Sequence, residues 1–229
     1  MLCIIQARMS SKRLPGKVLM KIQGKTLIER VIERVSKSKY VTKIIVATTK
    51  HNTDVPLRKL CIKKKIEYYA GSLPNVACRF YKILKKFNSK SFLRINADSP
   101  FIDPQLIDKC LFKFNNTNSD IVTNVFPRTF PKGQSVEIIK SSVFKKNLPK
   151  IKKKAYLEHI TKFFYENKNN FKISTIKNDE NYSKFNMCVD TLNDMRRTRT
   201  IYKKIPQLNN RKINWKKIIN KYYEKKTNK

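Results

Sequence analysis

The first chemically suggestive feature of the chain is a run of cations without an acidic neighbour. It lies in QARMSSKRLPGKVL, residues 6–19, directly after the apolar run LCII. The cations of this loop are Arg8, Lys12, Arg13 and Lys17. The first carboxylate of the chain comes only at Glu29, and Pro15 with Gly16 predicts a turn. Cations and backbone N–H groups at a strand end suit a bound polyphosphate, whereas a solvated basic loop is the alternative for any one of these lysines.

Two carboxylates are placed to complement those cations. Asp98 ends the strand-like SFLRINAD at 91–98, and Asp190 ends the strand-like FNMCVD at 185–190. Such carboxylates beside bound phosphates suit Mg²⁺, which proteins hold by one or two carboxylates plus phosphate oxygens. The alternatives are an Asx turn or helix cap at Asp98 and a helix N-cap at Asp190.

These residues need a scaffold that brings strand ends together, and the first 125 residues alternate strand and helix patterns. The predicted strands are 2–7, 43–49, 66–70, 91–98 and 119–125. The predicted helices are 26–35, 54–65, 76–87 and 104–114. Thr26 and Glu29 have the spacing of a capping box. The alternation predicts a doubly wound, mostly parallel α/β sheet, whose ligands bind outside the carboxyl ends of the strands.

The pattern loosens after residue 126. A short strand at 136–140 precedes an amphipathic helix predicted over 152–167 and a strand at 171–176. FNMCVD is predicted to return as a strand to the main sheet, helices follow it, and the tail from residue 221 is expected to fray. We predict one domain over the whole chain, because its length suits a single core with an appended lobe. The predicted divisions are a core at 1–125, a small α+β lobe at 126–185, and a return strand with C-terminal helices at 186–229.

The overall charge carries less weight than the opening loop. Lys and Arg total 52 against 16 Asp and Glu, which gives a net charge of +36 in 229 residues. The basic residues are mostly Lys, and abundant Lys, Asn and Ile with only 4 Gly match A/T-rich codons. Lysine at tolerant surface positions therefore needs no nucleic-acid partner, and RNA-recognition and zinc motifs are absent. We expect no specific binding of nucleic acid.

Cysteine usage and hydropathy indicate the compartment. The chain has 5 cysteines, scattered without CxxC spacing, as expected of buried thiols in a reducing environment. No apolar stretch approaches the length of a membrane span, and the N-terminal residues lack the pattern of a secretory signal. We expect a cytoplasmic protein that does not insert into membranes.

Several motifs together resemble one enzyme family. QARMSSKRLPGKVL resembles the signature loop of the CMP-sugar synthetases, the acylneuraminate and 3-deoxy-manno-octulosonate cytidylyltransferases, and especially their spore coat polysaccharide biosynthesis protein F branch. The further matching motifs are IIVATT at 44–49, AGSLPNVACRFY at 70–81, RINADSPFIDPQLID at 94–108, RTFPKGQSVEI at 128–138, LEHIT at 157–161 and VDT at 189–191. The resemblance implies a Rossmann-like nucleotide-diphospho-sugar transferase fold and a homodimer. It also implies transfer of CMP from CTP to an acidic or related sugar, with release of pyrophosphate, for polysaccharide or glycan biosynthesis.

The resemblance also implies roles for individual residues. It assigns catalysis to Arg8, Lys17 and Asp98, and Mg²⁺ to Asp98 and Asp190. The nucleotide-binding residues that it implies are Ala7, Arg8, Ser10, Ser11, Lys12, Arg13, Lys17, Ala47, Thr48, Thr49, Gly71, Ser72, Arg79 and Asn96. Arg79 is expected to brace the loop that contains Gly71 and Ser72.

The acceptor sugar is expected to bind in the lobe at 126–185, which the resemblance also implicates in dimerisation. The implied acceptor-binding residues are Arg128, Gly133, Gln134, Glu137, Glu158 and His159. Arg128 suits the carboxylate of an acidic sugar, because a guanidinium recognises carboxylates through two parallel hydrogen bonds. Two positions depart from the resembled sequences, since Asn75 and Ser135 stand where those sequences commonly carry an acid.

Two alternatives to this function remain open at the level of sequence. The first is a sugar nucleotidyltransferase that uses UTP, GTP or ATP, because the sheet and the phosphate loop do not specify the base. The second is a non-enzymatic basic protein that binds nucleic acid or anionic surfaces through its lysines.

Overall fold

The computed structural model describes residues 1–223, so the last six residues of the tail expected to fray, 224–229, lie outside the described part. The strands are β1 Leu2–Gln6, β2 Lys21–Ile22, β3 Lys25–Thr26, β4 Lys43–Thr49, β5 Tyr68–Gly71, β6 Ser91–Asn96, β7 Ile121–Thr123, β8 Glu137–Lys140 and β9 Ile173–Thr175. The helices are α1 Leu27–Val35, α2 Val55–Lys63, α3 Val76–Lys86, α4 Pro104–Asn115, α5 Ser141–Asn147, α6 Lys154–Glu158, α7 Lys162–Glu166, α8 Leu192–Lys204 and α9 Trp215–Tyr222. The predicted alternation of strands and helices over the first 125 residues is confirmed.

Seven strands form one sheet in the order β5-β4-β1-β6-β8-β7-β9, and β2 and β3 form a separate small hairpin that the sequence patterns did not predict. Only β8 runs antiparallel to its neighbours in the large sheet. From β1 the chain adds β4 and β5 on one side and then crosses to add β6 on the other. The crevice between β1 and β6 is therefore the switch point of the sheet, which is where ligands of such folds bind.

Apolar side chains fill both faces of this sheet. Cys3 and Ile5 of β1 point into one core, and Leu2 and Ile4 of the same strand point into the other. This alternation is the two-residue period of a strand whose two faces are both covered by helices. The doubly wound, mostly parallel sheet is thereby confirmed.

The predicted capping box is also confirmed. The side chain of Thr26 accepts a hydrogen bond from the Glu29 backbone N–H and Glu29 reaches back to the Thr26 N–H, so α1 starts with the predicted capping box. Pro56 occupies the first turn of α2, where a missing N–H costs nothing.

The predicted helix over 152–167 is wrong, because the structure has two short helices there. Helix α6 ends at Glu158, and α7 starts only at Lys162. His159 between them has φ −111° and ψ 77°, which is outside the helical region. The buried residues of this stretch share a helical spacing and enter one core; they are Tyr156, Ile160, Phe163 and Phe164. That shared core accounts for the misleading periodicity.

The predicted return strand at 185–190 is wrong as well. The segment makes a single bridge, between Asn186 and Lys132, and no ladder. Strand β6 already pairs with β1 on one side and β8 on the other, so it has no free edge for a further strand. The segment instead runs past the end of β6, where the Val189 N–H donates to the Asp98 carbonyl at 2.9 Å.

The segment predicted as a small lobe, 126–185, contributes to the same sheet. It supplies β8 and β9, and its helices α5 and α6 pack on α3. Within residues 1–223, no helix combines the length and the apolar character that crossing a membrane requires.

Candidate active site

The opening loop leaves β1 at the switch point and is fixed there by hydrogen bonds. Its first residue, Ala7, donates its N–H to the Ala47 carbonyl at 3.1 Å, and Ala97 donates to the Gln6 carbonyl at 3.1 Å. Gly16 has φ 72°, a left-handed conformation that glycine adopts without strain, and a short 3₁₀ helix, Lys17–Leu19, follows it. The turn directs Lys17 back under the loop toward the end of β6.

Asp54 fastens the start of this loop to the end of β4. Its Oδ1 accepts the Met9 N–H at 2.7 Å, and its Oδ2 accepts the hydroxyls of Thr48 at 3.0 Å and Thr49 at 2.6 Å and the Thr49 N–H at 3.1 Å. The carboxylate is fully buried. Thr48 and Thr49, implied as nucleotide-binding residues, therefore direct their hydroxyls to Asp54.

Lys17 lies between the two predicted metal carboxylates. Its ammonium donates to Asp98 Oδ2 at 3.1 Å, to Asp190 Oδ1 at 2.9 Å and to the Val189 carbonyl at 2.8 Å. Burial disfavours its charged form, but the carboxylates outweigh burial, so the pKa of Lys17 is raised. The amine is therefore charged at neutral pH, and three acceptors take its three N–H groups.

Two arginines of the loop also have acidic partners. Arg13 Nη2 lies 2.9 Å from Asp190 Oδ2, so both oxygens of Asp190 contact a cation. Arg8 Nη2 lies 2.7 Å from Oε1 of Glu158, at the end of α6. Arg8 and Glu158, implied to bind nucleotide and acceptor respectively, thus meet across the site.

These groups surround a cavity of about 810 Å³ at the carboxyl ends of β1 and β6. Its lining residues are Gln6, Ala7, Arg8, Ser11, Lys12, Arg13, Lys17, Val18, Leu73, Pro74, Arg94, Asn96, Ala97, Asp98, Lys154, Leu157, Glu158, His159 and Asp190. The cavity therefore contains the loop cations, both predicted metal carboxylates and two of the implied acceptor residues.

A smaller cavity of about 270 Å³ adjoins the first and shares Arg94, Asn96 and His159 with it. Its other lining residues are Val125, Arg128, Ser135, Glu137, Thr161, Lys162 and Tyr165. Arg128 and Glu137, both implied to bind the acceptor, therefore line the smaller cavity, whereas the loop cations line the larger one.

A buried ion pair forms one wall of the smaller cavity. Arg94 Nη1 contacts Glu137 Oε2, and Arg94 Nη2 donates to Gln6 Oε1 at 3.1 Å. Tyr165 donates its hydroxyl to Glu137 Oε1 at 2.7 Å. Burial and the neighbouring Glu137 carboxylate raise the pKa of Tyr165 well above its usual value, so the phenol stays neutral.

Arg128 differs from Arg94 because, within residues 1–223, it has no acidic partner at ion-pair distance. Its Nη2 donates to Ser135 Oγ at 3.1 Å and its Nη1 to the Pro131 carbonyl at 3.5 Å. Ser135 stands where the resembled sequences commonly carry an acid. The smaller cavity is thus lined by the Arg128 guanidinium, whose charge no carboxylate of residues 1–223 neutralises at ion-pair distance.

Several residues implied by the resemblance line neither cavity. They are Ser10, Ala47, Thr48, Thr49, Gly71, Ser72, Arg79, Gly133 and Gln134. Gln134 is fully buried, where it accepts the Asp103 N–H at 2.9 Å and donates to the Phe101 carbonyl at 2.7 Å. Gly133 has φ 94°, and a Cβ there would lie 2.8 Å from the carbonyl carbon of Met187. Gln134 therefore holds the backbone at Phe101 and Asp103, and Gly133 allows the backbone at Met187 to approach closely.

Arg79 braces its loop as expected. Its Nη1 donates to the Ser72 carbonyl at 3.1 Å, and a Cβ on Gly71 would lie 2.6 Å from Arg79 Cγ, so only glycine fits there. Its Nε and Nη2 have no hydrogen-bond partner in the described residues. Burial lowers the pKa of Arg79 to about 10, against the pull of the Glu158 carboxylate. Asn75 in the same loop caps α3 by accepting the Cys78 N–H at 2.7 Å.

The structure adds residues that sequence reasoning missed. Gln6, Arg94, Leu73 and Pro74 line the larger cavity, and Tyr165 lines the smaller one. Gln6 and Arg94 lie on the two strands at the switch point, so strand register could have found them. Nothing in the local pattern marks Tyr165, because its role depends on the break between α6 and α7.

A cysteine, Cys188, lies beside the site. Burial, followed by the carboxylates of Asp98 and Asp190, raises the pKa of the Cys188 thiol. The thiol form is a poor nucleophile, so Cys188 is not favoured as a nucleophile.

A doubly wound sheet with a basic loop and two convergent carboxylates at its switch point defines a nucleotidyltransferase, a class whose chemistry requires positioning and charge stabilisation. The sequence model of the cytidylyltransferase family matches residues 2–226, and the chain belongs to that family. It is therefore an enzyme, and the alternative of a non-enzymatic basic protein is wrong.

Three individual proteins are similar to the chain over most of its length. The chain is 33% identical over 195 residues to the Methanocaldococcus jannaschii protein described as Uncharacterized protein MJ1063, covering 84% of this chain and 79% of the relative. It is 28% identical over 211 residues to the spore coat polysaccharide biosynthesis protein SpsF of Bacillus subtilis, covering 89% and 86%. The solved cytidylyltransferase of Leptospira borgpetersenii superposes with a TM-score of 0.84 at 28% identity, covering 88% and 86%.

Proposed function

We propose that the protein transfers CMP from CTP to an acidic sugar, releasing pyrophosphate, for the synthesis of a polysaccharide or glycan. The observation that carries this proposal is that two cavities adjoin at the site. The larger one has the cations and carboxylates that a nucleoside triphosphate needs, and the smaller one shares Arg94, Asn96 and His159 with it. An acceptor hydroxyl in the smaller cavity would thus face a phosphate in the larger one.

The acidic character of the sugar is supported by Arg128. Its guanidinium has only a hydroxyl and a carbonyl as partners among the described residues, and its side chain lines the smaller cavity. A carboxylate is the group that such a planar, partly desolvated cation binds best.

The residues present fit a Mg²⁺ ion. Oxygens of Asp98 and Asp190 converge on one ammonium, and two carboxylates plus phosphate oxygens are the donors that Mg²⁺ takes. Within residues 1–223 no cluster of three or more His, Cys, Asp and Glu could hold a metal, so phosphate oxygens would complete the coordination. Mg²⁺ bound by Asp98 and Asp190 would neutralise charge on those oxygens.

The reaction itself needs little covalent help from the protein. The acceptor hydroxyl oxygen forms a bond to the α-phosphorus and its proton passes to water. The bond from that phosphorus to the bridging oxygen breaks, and pyrophosphate leaves with the electron pair. Arg8, Arg13 and Lys17 line the same cavity as these carboxylates and would bind the departing phosphates there. Fixed cations at that position stabilise the charge that develops in the transition state.

The test is pyrophosphate release from CTP, UTP, GTP and ATP with a panel of sugars. We expect activity with CTP and an acidic sugar, such as an acylneuraminate or 3-deoxy-manno-octulosonate, and little with a neutral hexose. Release with CTP and neutral sugars alone would contradict the acidic acceptor. Equal release with another nucleotide would contradict the base preference.

We further propose that the enzyme acts in the cytoplasm as a homodimer through the segment 126–185. The cytoplasm supplies CTP, and no disulfide pairs the cysteines in the described residues. The resemblance to dimeric enzymes supports the second part. Sedimentation equilibrium should give twice the mass of one chain, and a concentration-independent monomer would contradict the dimer.

A further inference from the structure

The arrangement of charges around Lys17 bears on the order in which metal and nucleotide bind. Lys17 is 8% exposed, and its ammonium contacts oxygens of both Asp98 and Asp190. Arg13 takes the second oxygen of Asp190. The two carboxylates that would hold Mg²⁺ are therefore already neutralised by two cations from the opening loop.

A divalent cation that approached this site alone would meet those two positive charges. The carboxylates contribute two negative charges and the cations two positive ones, so their sum offers no net attraction for a metal. Like charges a few ångströms apart repel strongly in a site of reduced dielectric. Because Lys17 and a metal need the same oxygens, they also compete directly.

A nucleoside triphosphate changes that balance. Its phosphates carry several negative charges and would offer Lys17 and Arg13 new partners of the kind that both side chains bind well. Once the cations contact phosphate, Asp98 and Asp190 become free to hold a metal.

We propose that Lys17 acts as an internal competitor of the metal, which keeps Asp98 and Asp190 from binding Mg²⁺ until a nucleoside triphosphate draws the ammonium away. This inference rests on the proposed function, since it assumes that these carboxylates hold the metal. If it is correct, Mg²⁺ binds tightly to the enzyme–nucleotide complex and only weakly to the free enzyme.

The experiment measures Mn²⁺ binding, with Mn²⁺ as a paramagnetic substitute for Mg²⁺. Water-proton relaxation distinguishes protein-bound Mn²⁺ from free Mn²⁺ and from the Mn²⁺–CTP complex. In the nucleotide-free protein, Lys17→Met is expected to tighten Mn²⁺ binding by roughly tenfold or more, because an adjacent positive charge is removed. The matched control is Lys21→Met, an exposed lysine outside both cavities, which makes the same change in net charge and should leave the affinity within about twofold.

Each outcome separates the inference from the proposed function. Suppose that the wild type binds Mn²⁺ when CTP is present. If nucleotide-free Lys17→Met then bound Mn²⁺ no more tightly than the nucleotide-free wild type, the competitor role would be overturned and the metal site would stand. If the wild type bound no Mn²⁺ even with CTP, the proposed metal site itself would be wrong.

A measurement that does not use Lys17→Met guards against misfolding of that variant. A single Mn²⁺ held by nucleotide-free wild type at micromolar concentration, and lost in Asp98→Asn, would also overturn the inference. Weak binding that becomes tight on addition of CTP would support it.

Discussion

The carboxylate of Asp54 accepts the backbone N–H of Met9 at 2.7 Å and so joins the end of β4 to the opening loop. Its other three hydrogen bonds come from Thr48 and Thr49, which are consequently turned away from the cavity. The loop that would bind phosphates is thus held by a buried group that cannot itself touch them.

Asp54→Asn should weaken CTP binding with a smaller effect on turnover at saturation. The asparagine amide presents N–H groups to the donors that the carboxylate accepted, so the loop loses its anchor. Loss of one hydrogen bond to a charged group corresponds to about tenfold or more in KM for CTP. Steady-state kinetics would measure this, with Thr48→Val as control, because it removes one donor and keeps the Met9 contact. Equal KM values for the wild type and Asp54→Asn would contradict the anchoring role.

Asp98→Asn should lower turnover and Asp103→Asn should lower stability, although both residues lie in the motif RINADSPFIDPQLID. Asp98 faces the cavity, so its variant should lose about a hundredfold or more in turnover and keep its melting temperature.

Asp103 caps α4 by accepting the Gln105 N–H at 2.8 Å and also accepts the Trp215 N–H at 3.2 Å. Its variant should lose about 1 kcal/mol or more of stability and keep its turnover. Turnover of Asp98→Asn with the Mg²⁺ dependence of the wild type would show that the metal assignment is wrong.

Arg128→Met should raise KM for an acidic sugar by about tenfold or more and leave KM for CTP unchanged, because one charged hydrogen-bonding partner of the acceptor is lost. Ser135→Asp should act in the same direction without removing the guanidinium, since it would supply Arg128 with an internal carboxylate. The measurement is initial rate against sugar concentration at saturating CTP. If both variants kept the affinity of the wild type for the sugar, Arg128 would have no part in acceptor recognition.

Arg34→Met should destabilise the fold by about 3 kcal/mol, or roughly 6–12 °C in Tm. Arg34 is fully buried and donates to four backbone carbonyls that its loss would leave unsatisfied; they belong to Ile102, Leu208, Asn210 and Ile213. Arg196→Met, on the exposed face of α8, serves as the control and should cost less than about 0.5 kcal/mol. Similar Tm values for the two variants would contradict this role of Arg34.

Asp194 gives the stability a defined dependence on pH. Burial alone would raise its pKa, but hydrogen bonds from Thr191 and from the Asp190 and Thr191 N–H groups, with the charge of Arg197, lower it below the usual 3.8. A lowered pKa in the folded state means that the stabilisation is complete above the unfolded pKa and is lost as pH falls through the folded pKa. Asp194→Asn should therefore cost about 1 kcal/mol at pH 7, and its difference from wild type should shrink below about pH 4 in urea unfolding curves. A difference that stayed constant to pH 2 would contradict this linkage.

Strand ends and loop chemistry were predictable from the sequence, while contacts between distant segments were not. The apolar runs and the capping box at Thr26 are local signals, and they gave the sheet and the positions of Lys17 and Asp98 correctly. Asp190 was assigned to a strand, yet it reaches the site because β6 has no free edge and the segment passes beyond it. That outcome depends on β8, whose insertion beside β6 has no local signal.

The roles of buried polar residues could not be predicted from the sequence either. Gln134 and Thr48 carry groups that could contact a ligand, and the resemblance implied that they do. Whether such a group faces a cavity or a neighbouring backbone depends on tertiary burial, which residue type alone does not determine. Asp54 was visible only as the first residue of a predicted helix.

The antiparallel position of β8 between β6 and β7 has a consequence for the nascent chain. Strand β7, at 121–123, has only β8 and β9 as neighbours in the sheet, so it leaves the ribosome before any partner exists. The four strands β5, β4, β1 and β6 need nothing made after residue 96 to pair with one another. Synthesis therefore delivers the half with the basic opening loop first and Asp190 late. A chain interrupted between these points would have the cations of the loop without Asp190, so the ion pairs of Asp190 with Lys17 and Arg13 form only late in translation.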